Sequence, residues 1–188
     1  MSVVSSLRVR AGVAGLLGAG LAWSVAAAPA AASPRTINFT ITADPSVTTF
    51  VACPSGTPTT VMECGNGVNE PVTATNDAGD PGLAGSAATL SFSSAVEFPV
   101  STPDCAVQLN DGSAVTVKTT RGDIFLVSHG AYCASTNLDL ETFRILGGTG
   151  RYAGAIGSGH VTARMIAPQT STQAFSADLY AGTITLAS

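Results

Sequence analysis

Ile37, Phe39 and Ile41 alternate with Asn38, Thr40 and Thr42, the period of a strand with one buried face. Short stretches rich in Val, Thr, Ile and Phe follow at 48–53, 87–92, 95–100, 106–109, 114–119, 123–129, 141–146, 160–166 and 172–186. Each reads as a strand. Asn110-Asp111-Gly112 lies between two of them, and such residues tolerate the positive φ of a tight turn, which predicts a hairpin there. Residues 54–85 are rich in Pro, Gly, Asn and Thr, including Asn76-Asp77-Ala78-Gly79-Asp80-Pro81-Gly82, and read as a long loop. Many short strands with turns and no helices between them predict an all-β sandwich or barrel.

The N-terminus departs from this pattern. Arg8 and Arg10 precede an apolar stretch from Ala11 to Ala28, and Ala30-Ala31-Ala32 follow. Basic, apolar and small residues in that order predict a secretory signal peptide over 1–32. An uncleaved anchor is the competing reading, but the Gly and Ala content makes the stretch weakly hydrophobic. The expectation is a secreted chain whose residues 33–188 form one domain, with no membrane contact in its mature form.

Charge narrows the partners. The chain has eight Lys and Arg against twelve Asp and Glu; losing Arg8 and Arg10 leaves six against twelve, a formal charge of −6. An acidic surface with one lysine, Lys118, argues against nucleic acid, which is bound by neutralising phosphate. Cys53, Cys64, Cys105 and Cys133 all survive cleavage, and an even count after export predicts two disulfides. Cys53 with Cys64 and Cys105 with Cys133 are the favoured pairs. The second pair demands that the segment after Gly130 fold back, if the strands form a simple meander. A zinc site lacks the paired spacing it would need.

One stretch is more specific. Phe143 to Val161, FRILGGTGRYAGAIGSGHV, followed by FSADLYAGTITL from Phe175 to Leu186, resembles the C-terminal half of allene oxide cyclase and dirigent-like barrels. The resemblance covers about the last third of the chain. It implies an eight-stranded antiparallel β-barrel related to the calycins, commonly trimeric. It also implies a preshaped cavity for a small, largely apolar molecule, and in the members that catalyse, no organic cofactor. Gly147, Gly148 and Gly150 permit backbone angles closed to other residues, Tyr152 and Ile156 are placed to plug a barrel end, and Gly157 and Gly159 suggest a bend into the next strand. Gly148-Thr149-Gly150 also mimics a dinucleotide fingerprint, but no helix follows to complete a βαβ unit.

Candidate chemistry sits on the strands. Asp178 and Tyr180 share one face of the last strand with Ser176 and Gly182, while Phe175, Ala177 and Leu179 form the opposite line. Were the polar line inward, Asp178 would serve as base or acceptor and Tyr180 as donor; the apolar line is the natural core face. Glu97 lies opposite Val96, Phe98 and Val100. His129 continues the line of Phe125 and Val127, as a buried side chain or a proton carrier. Arg164, with His160 and Thr162, is either a ligand-binding cation or a solvated one. Asp77 and Asp80 lack the ligand pattern of a calcium loop, Arg121-Gly122-Asp123 suits a turn, and no Gly-x-Ser-x-Gly elbow occurs. These residues leave two functions open: a ligand-holding barrel with cofactor-free isomerase or cyclase chemistry through Asp178, Tyr180, Glu97 and His129, or a non-catalytic extracellular or envelope interaction protein with a packed barrel.

Overall fold

The computed structural model describes residues 33–55, 63–97, 104–108 and 112–187; the expected signal peptide lies outside the described residues. Alternating side chains extend the chain into nine described strands: β1 (Arg35–Val51), β2 (Glu63–Asn76), β3 (Gly85–Glu97), β4 (Cys105–Gln108), β5 (Ser113–Thr119), β6 (Gly122–Cys133), β7 (Leu138–Gly148), β8 (Ile156–Ala167) and β9 (Gln173–Leu186). All pairings are antiparallel, and β1 pairs with both β2 and β9, which closes the sheet. β4 and β5 occupy successive stretches of one position between β3 and β6. The result is an eight-position antiparallel barrel in which the described strands leave no free edge to template aggregation.

This arrangement corrects several expectations. The stretch read as a loop contains β2, whose inward residues are Gly65, Gly67, Glu70, Val72 and Ala74. Its alternation breaks where the register with β3 shifts between Gly67 and Glu70, beside Asn69 at φ 53°. Weak hydrophobicity and a bulge together erase the strand signal. Asn110 and Asp111 of the expected hairpin lie outside the described residues; among those described, β4 and β5 pair with β3 and β6 and not with each other. Stretches 37–41 and 48–53 fuse into β1, with a register shift between Ala43 and Ser46. The β6 strand does not fold back after Gly130. It runs on to Cys133, directly opposite Cys105 on β4, so the pair bonds across neighbouring strands. Cys53 bonds to Cys64 as expected.

The two ends of the barrel differ. At one, the β2–β3 and β7–β8 connections each carry a single 3₁₀ turn, Pro81–Leu83 and Gly150–Tyr152. Leu83 and Tyr152 are fully buried there. Asp80 caps the first turn, accepting from Gly82 N at 2.9 Å, and also receives Arg151 Nε at 2.6 Å and Tyr152 Oη at 3.3 Å. Burial alone would raise the Asp80 pKa, but Arg151, the Gly82 N–H and Tyr152 outweigh it and hold it below the ordinary value. Burial also pushes the Tyr152 phenol up to about 12, which keeps it a neutral donor. Gly150, at φ 54°, makes the corner that delivers Tyr152. Tyr152 therefore plugs this end as expected, whereas Ile156 points out and is 63% exposed. The other end carries both disulfides and the β6–β7 and β8–β9 connections.

Apolar side chains fill the plugged half: Ile37, Ile41, Leu90, Val117, Ile124 and Ile184 are all essentially inaccessible. Each such side chain contributes roughly 1.5–3 kcal/mol through removal from water. Phe143 lies above them, its ring 6.0 Å from Phe39 and 6.3 Å from Tyr180. Room for that ring comes from Gly159 and Gly182, which face each other across β8 and β9. A methyl on Gly159 would come within 2.5 Å of Phe143 Cζ and 2.2 Å of the Ala181 carbonyl oxygen. Gly157 and Gly159 are thus close-approach positions inside β8 and not the expected bend.

Candidate functional site

Above Phe143 the packing gives way to a cavity of about 180 Å³. Its walls reach from Val115, Val161 and Tyr180 inside to Phe50, Glu63, Met165 and Gln169 near the disulfide-bearing end. Strand parity explains what faces it. Ile184 and Leu186 must be buried at the plugged end, so every second residue back along β9 points in as well: Tyr180, Asp178 and Ser176, at 5%, 7% and 9% exposure. On β7, burial of Phe143 and Ile145 carries Glu141 and Asp139 inward by the same rule.

The strands bring these groups together. Asp139 and Asp178 both pair with Ala163, from opposite sides of β8, and Glu141 and Tyr180 likewise flank Val161. Three carboxyl groups and a phenol thus converge on one wall. Gln108 of β4 donates through Nε2 to Glu141 Oε1. Behind Asp178, Ser46 Oγ donates to Glu70 Oε2 at 2.8 Å, and Val47 N donates to Glu70 Oε1 at 2.7 Å. Glu70 therefore has fixed partners at the β1 and β2 bulges.

Electrostatics follow from crowding acids in a half-apolar space. Burial, the neighbouring Glu141 and Asp178 push Asp139 up to about 8. Burial likewise raises Glu141, although Ser128, Gln108 and Asp139 offer partial compensation. Asp178 is raised by burial, with Ser176 and Ser46 opposing. Burial raises Tyr180 far above its ordinary value, and the surrounding carboxyls add to the effect. Near neutral pH the wall retains at least one carboxyl proton, because like charges this close do not all ionise. A carboxylic acid beside a carboxylate can give a proton to a bound group and take one back.

Of the residues singled out from sequence, Asp178 and Tyr180 meet in this cavity. Glu97, His129 and Arg164 do not, since each falls on the outward line of its strand. The inward residues there are Phe92, Ser94 and Val96 on β3, Ile124, Leu126 and Ser128 on β6, and Val161, Ala163 and Met165 on β8. His129 and Arg164 are exposed. The line Phe175, Ala177 and Leu179 expected to face the core faces out, with Leu179 44% exposed. Sequence reasoning missed Asp139, Glu141 and Gln108. The first two were reachable through their parity with Phe143 and Ile145. Asp77 and Asp80 are turned to protein partners, Asp77 accepting from Asn38 N at 3.0 Å and Asp80 from Arg151. Among the described residues, no group of three or more His, Cys, Asp or Glu is arranged to hold a metal ion, and no helix is long and apolar enough to cross a membrane.

No family model matches the chain, and no curated protein matches it. Two solved structures similar to it are pterocarpan synthase dirigent proteins. One has 13% identity and a TM-score of 0.45 over 84% of this chain and 98% of its own. The other has 12% identity and a TM-score of 0.42 over 82% of this chain and 85% of its own.

Proposed function

We propose that this is a secreted barrel that takes a small molecule with a largely apolar body into its open half, and that the carboxyl wall acts on or orients that molecule by proton transfer. The observation that carries the reading is the cavity itself: half of the barrel is packed solid, yet the other half holds buried acids facing space. A purely structural barrel gains nothing from burying Asp139, Glu141 and Asp178 side by side, because each costs desolvation that apolar residues would avoid. Phe50, Phe92 and Met165 supply apolar contact for the body of the ligand.

In this account Asp178 and the Asp139–Glu141 pair exchange a proton with the ligand, and Tyr180, kept un-ionised, donates a hydrogen bond. The chemistry is isomerisation or cyclisation that consumes no organic cofactor. Replacing both Asp178 and Tyr180, as Asp178→Asn with Tyr180→Phe, removes it. Native mass spectrometry of the protein recovered from its own culture medium tests the binding claim. A retained small molecule supports it; a ligand-free species at low and high protein load counts against it.

A second reading draws on the outer surface, where Leu140 and Leu179, 56% and 44% exposed, lie in one row across Thr162. That row suits contact with another protein or another copy of the chain. The same mass spectra report it as assembly.

A further inference from the structure

We propose that the ligand of the open half is an organic ammonium ion, a small apolar body ending in a primary or secondary amine, whose N–H groups rest on Asp178, Asp139 and Gln108. The inference rests on the small-molecule reading above and gives that molecule a chemical class.

Its first support is which atoms lack partners. Among the described residues, the buried side-chain oxygens of Gln108 (Oε1), Asp139 (Oδ1) and Asp178 (Oδ1) have no partner. All three residues line the cavity. Asp178 and Gln108 are only 7% and 6% exposed. Buried polar atoms in folded proteins almost always have partners, so these point to something that binds them. All three are carbonyl-type or carboxyl oxygens, which accept hydrogen bonds. The missing partner is therefore rich in donors, and an ammonium group offers two or three.

The second support is charge. Glu63, Asp139, Glu141 and Asp178 line the cavity, and among the described residues no Lys, Arg or His does. Arg151 is committed to Asp80 at the plugged end. Residues 56–62, 98–103 and 109–111, outside the described set, include no Lys, Arg or His. Among the described residues no cationic side chain thus faces the acids in the cavity, and a cationic ligand neutralises them directly. The rings of Phe50, Phe92, Tyr132 and Tyr180 in the same wall add apolar contact and faces that attract a cation.

Binding is coupled to pH by the groups that face Asp139: Glu141 on β7, Asp178 and Tyr180 on β9, Tyr132 on β6, Gln108 on β4 and Glu63 on β2. None is cationic, so an arriving ammonium ion favours the ionised form of Asp139 and expels its proton.

The test is isothermal titration of the full, disulfide-bonded chain near pH 7.5 with 2-phenylethylammonium and with 2-phenylethanol, which replaces the ammonium by a single hydroxyl. The expected result is that the amine binds at least about tenfold more tightly than the alcohol. Its heat should vary with the buffer, in the sense of proton release. Asp178→Asn and Asp139→Asn should each weaken the amine about tenfold and change the alcohol far less. Equal or tighter binding of the alcohol overturns the ammonium proposal while the small-molecule reading stands. Binding of neither probe overturns both. Because the comparison of the two probes uses the unaltered chain, it does not depend on either variant folding.

Discussion

Asp80→Ala tests whether the plugged end is held as described. The carboxylate accepts from Gly82 N, Arg151 Nε and Tyr152 Oη, and its removal strands these donors to different degrees. Gly82 and Tyr152 are buried, and an unpaired buried donor costs about 1–3 kcal/mol. The Tyr152 bond is long at 3.3 Å, and Thr119 also lies within reach of that hydroxyl, so its share falls at the low end. Arg151 is 38% exposed and turns to water, so the lost ion pair adds less than about 1 kcal/mol. The sum is about 3 kcal/mol. For a chain of this size that lowers Tm by roughly 6–12 °C, measurable by circular dichroism during heating or urea unfolding. Arg151→Ala leaves the carboxylate its Gly82 N and Tyr152 Oη donors and should cost less than Asp80→Ala. An Asp80→Ala loss below about 1 kcal/mol, or an equal loss from Arg151→Ala, would refute the claim that buried donors make this carboxylate matter.

Other consequences follow from the same geometry. Asp139, Glu141 and Asp178 have pKa values raised by folding; between their unfolded values near 4 and their folded values, the unfolded chain binds fewer protons. Stability should therefore fall as pH rises from about 4 to about 8, and Asp139→Asn should flatten that slope in urea titrations. Asp80, with its pKa depressed, acts in the opposite sense: its contribution is present above about 3.8 and lost as pH falls through its folded value. Replacing Cys105 and Cys133 by Ala opens a loop with a sequence separation of 28 and should cost about 3–4 kcal/mol, against about 3 for Cys53 and Cys64, separated by 11; denaturant midpoints compare the two. Gly159→Ala should cost at least about 2 kcal/mol, since its methyl meets a backbone oxygen and the Phe143 ring, and should show as a lowered Tm.

Much of the barrel was legible because its strands alternate cleanly. β7, β8 and β9 carry Phe143 and Ile145, Val161, and Ile184 and Leu186 at alternate positions, and those elements appeared where expected. β2 was hidden because its inward line contains two glycines and a glutamate, and because a bulge at Asn69 shifts the period halfway along. The site was harder for a related reason. A line such as Ser176, Asp178, Tyr180 looks like a solvated face when read over five residues, yet Ile184 and Leu186 further along the same line force it inward. On β6 both lines are apolar, Ile124 and Leu126 against Phe125 and Val127, so the facing of His129 had no local signature. Inward polar residues opposed by outward Phe175 and Leu179 invert the usual pattern, and such inversions cluster where a fold sets stability aside for function.

The central claim, that the open half of the barrel takes up a small molecule against its carboxyl wall, is tested most directly by amide NMR of the full chain titrated in turn with 2-phenylethylammonium and 2-phenylethanol. The account expects saturable shifts at Asp139, Glu141, Ser176, Asp178 and Tyr180, and none at Leu83, Ile124 or Tyr152 in the plugged half. Shifts confined to the outer faces of the strands, or no shifts with either probe up to millimolar concentration, would contradict it.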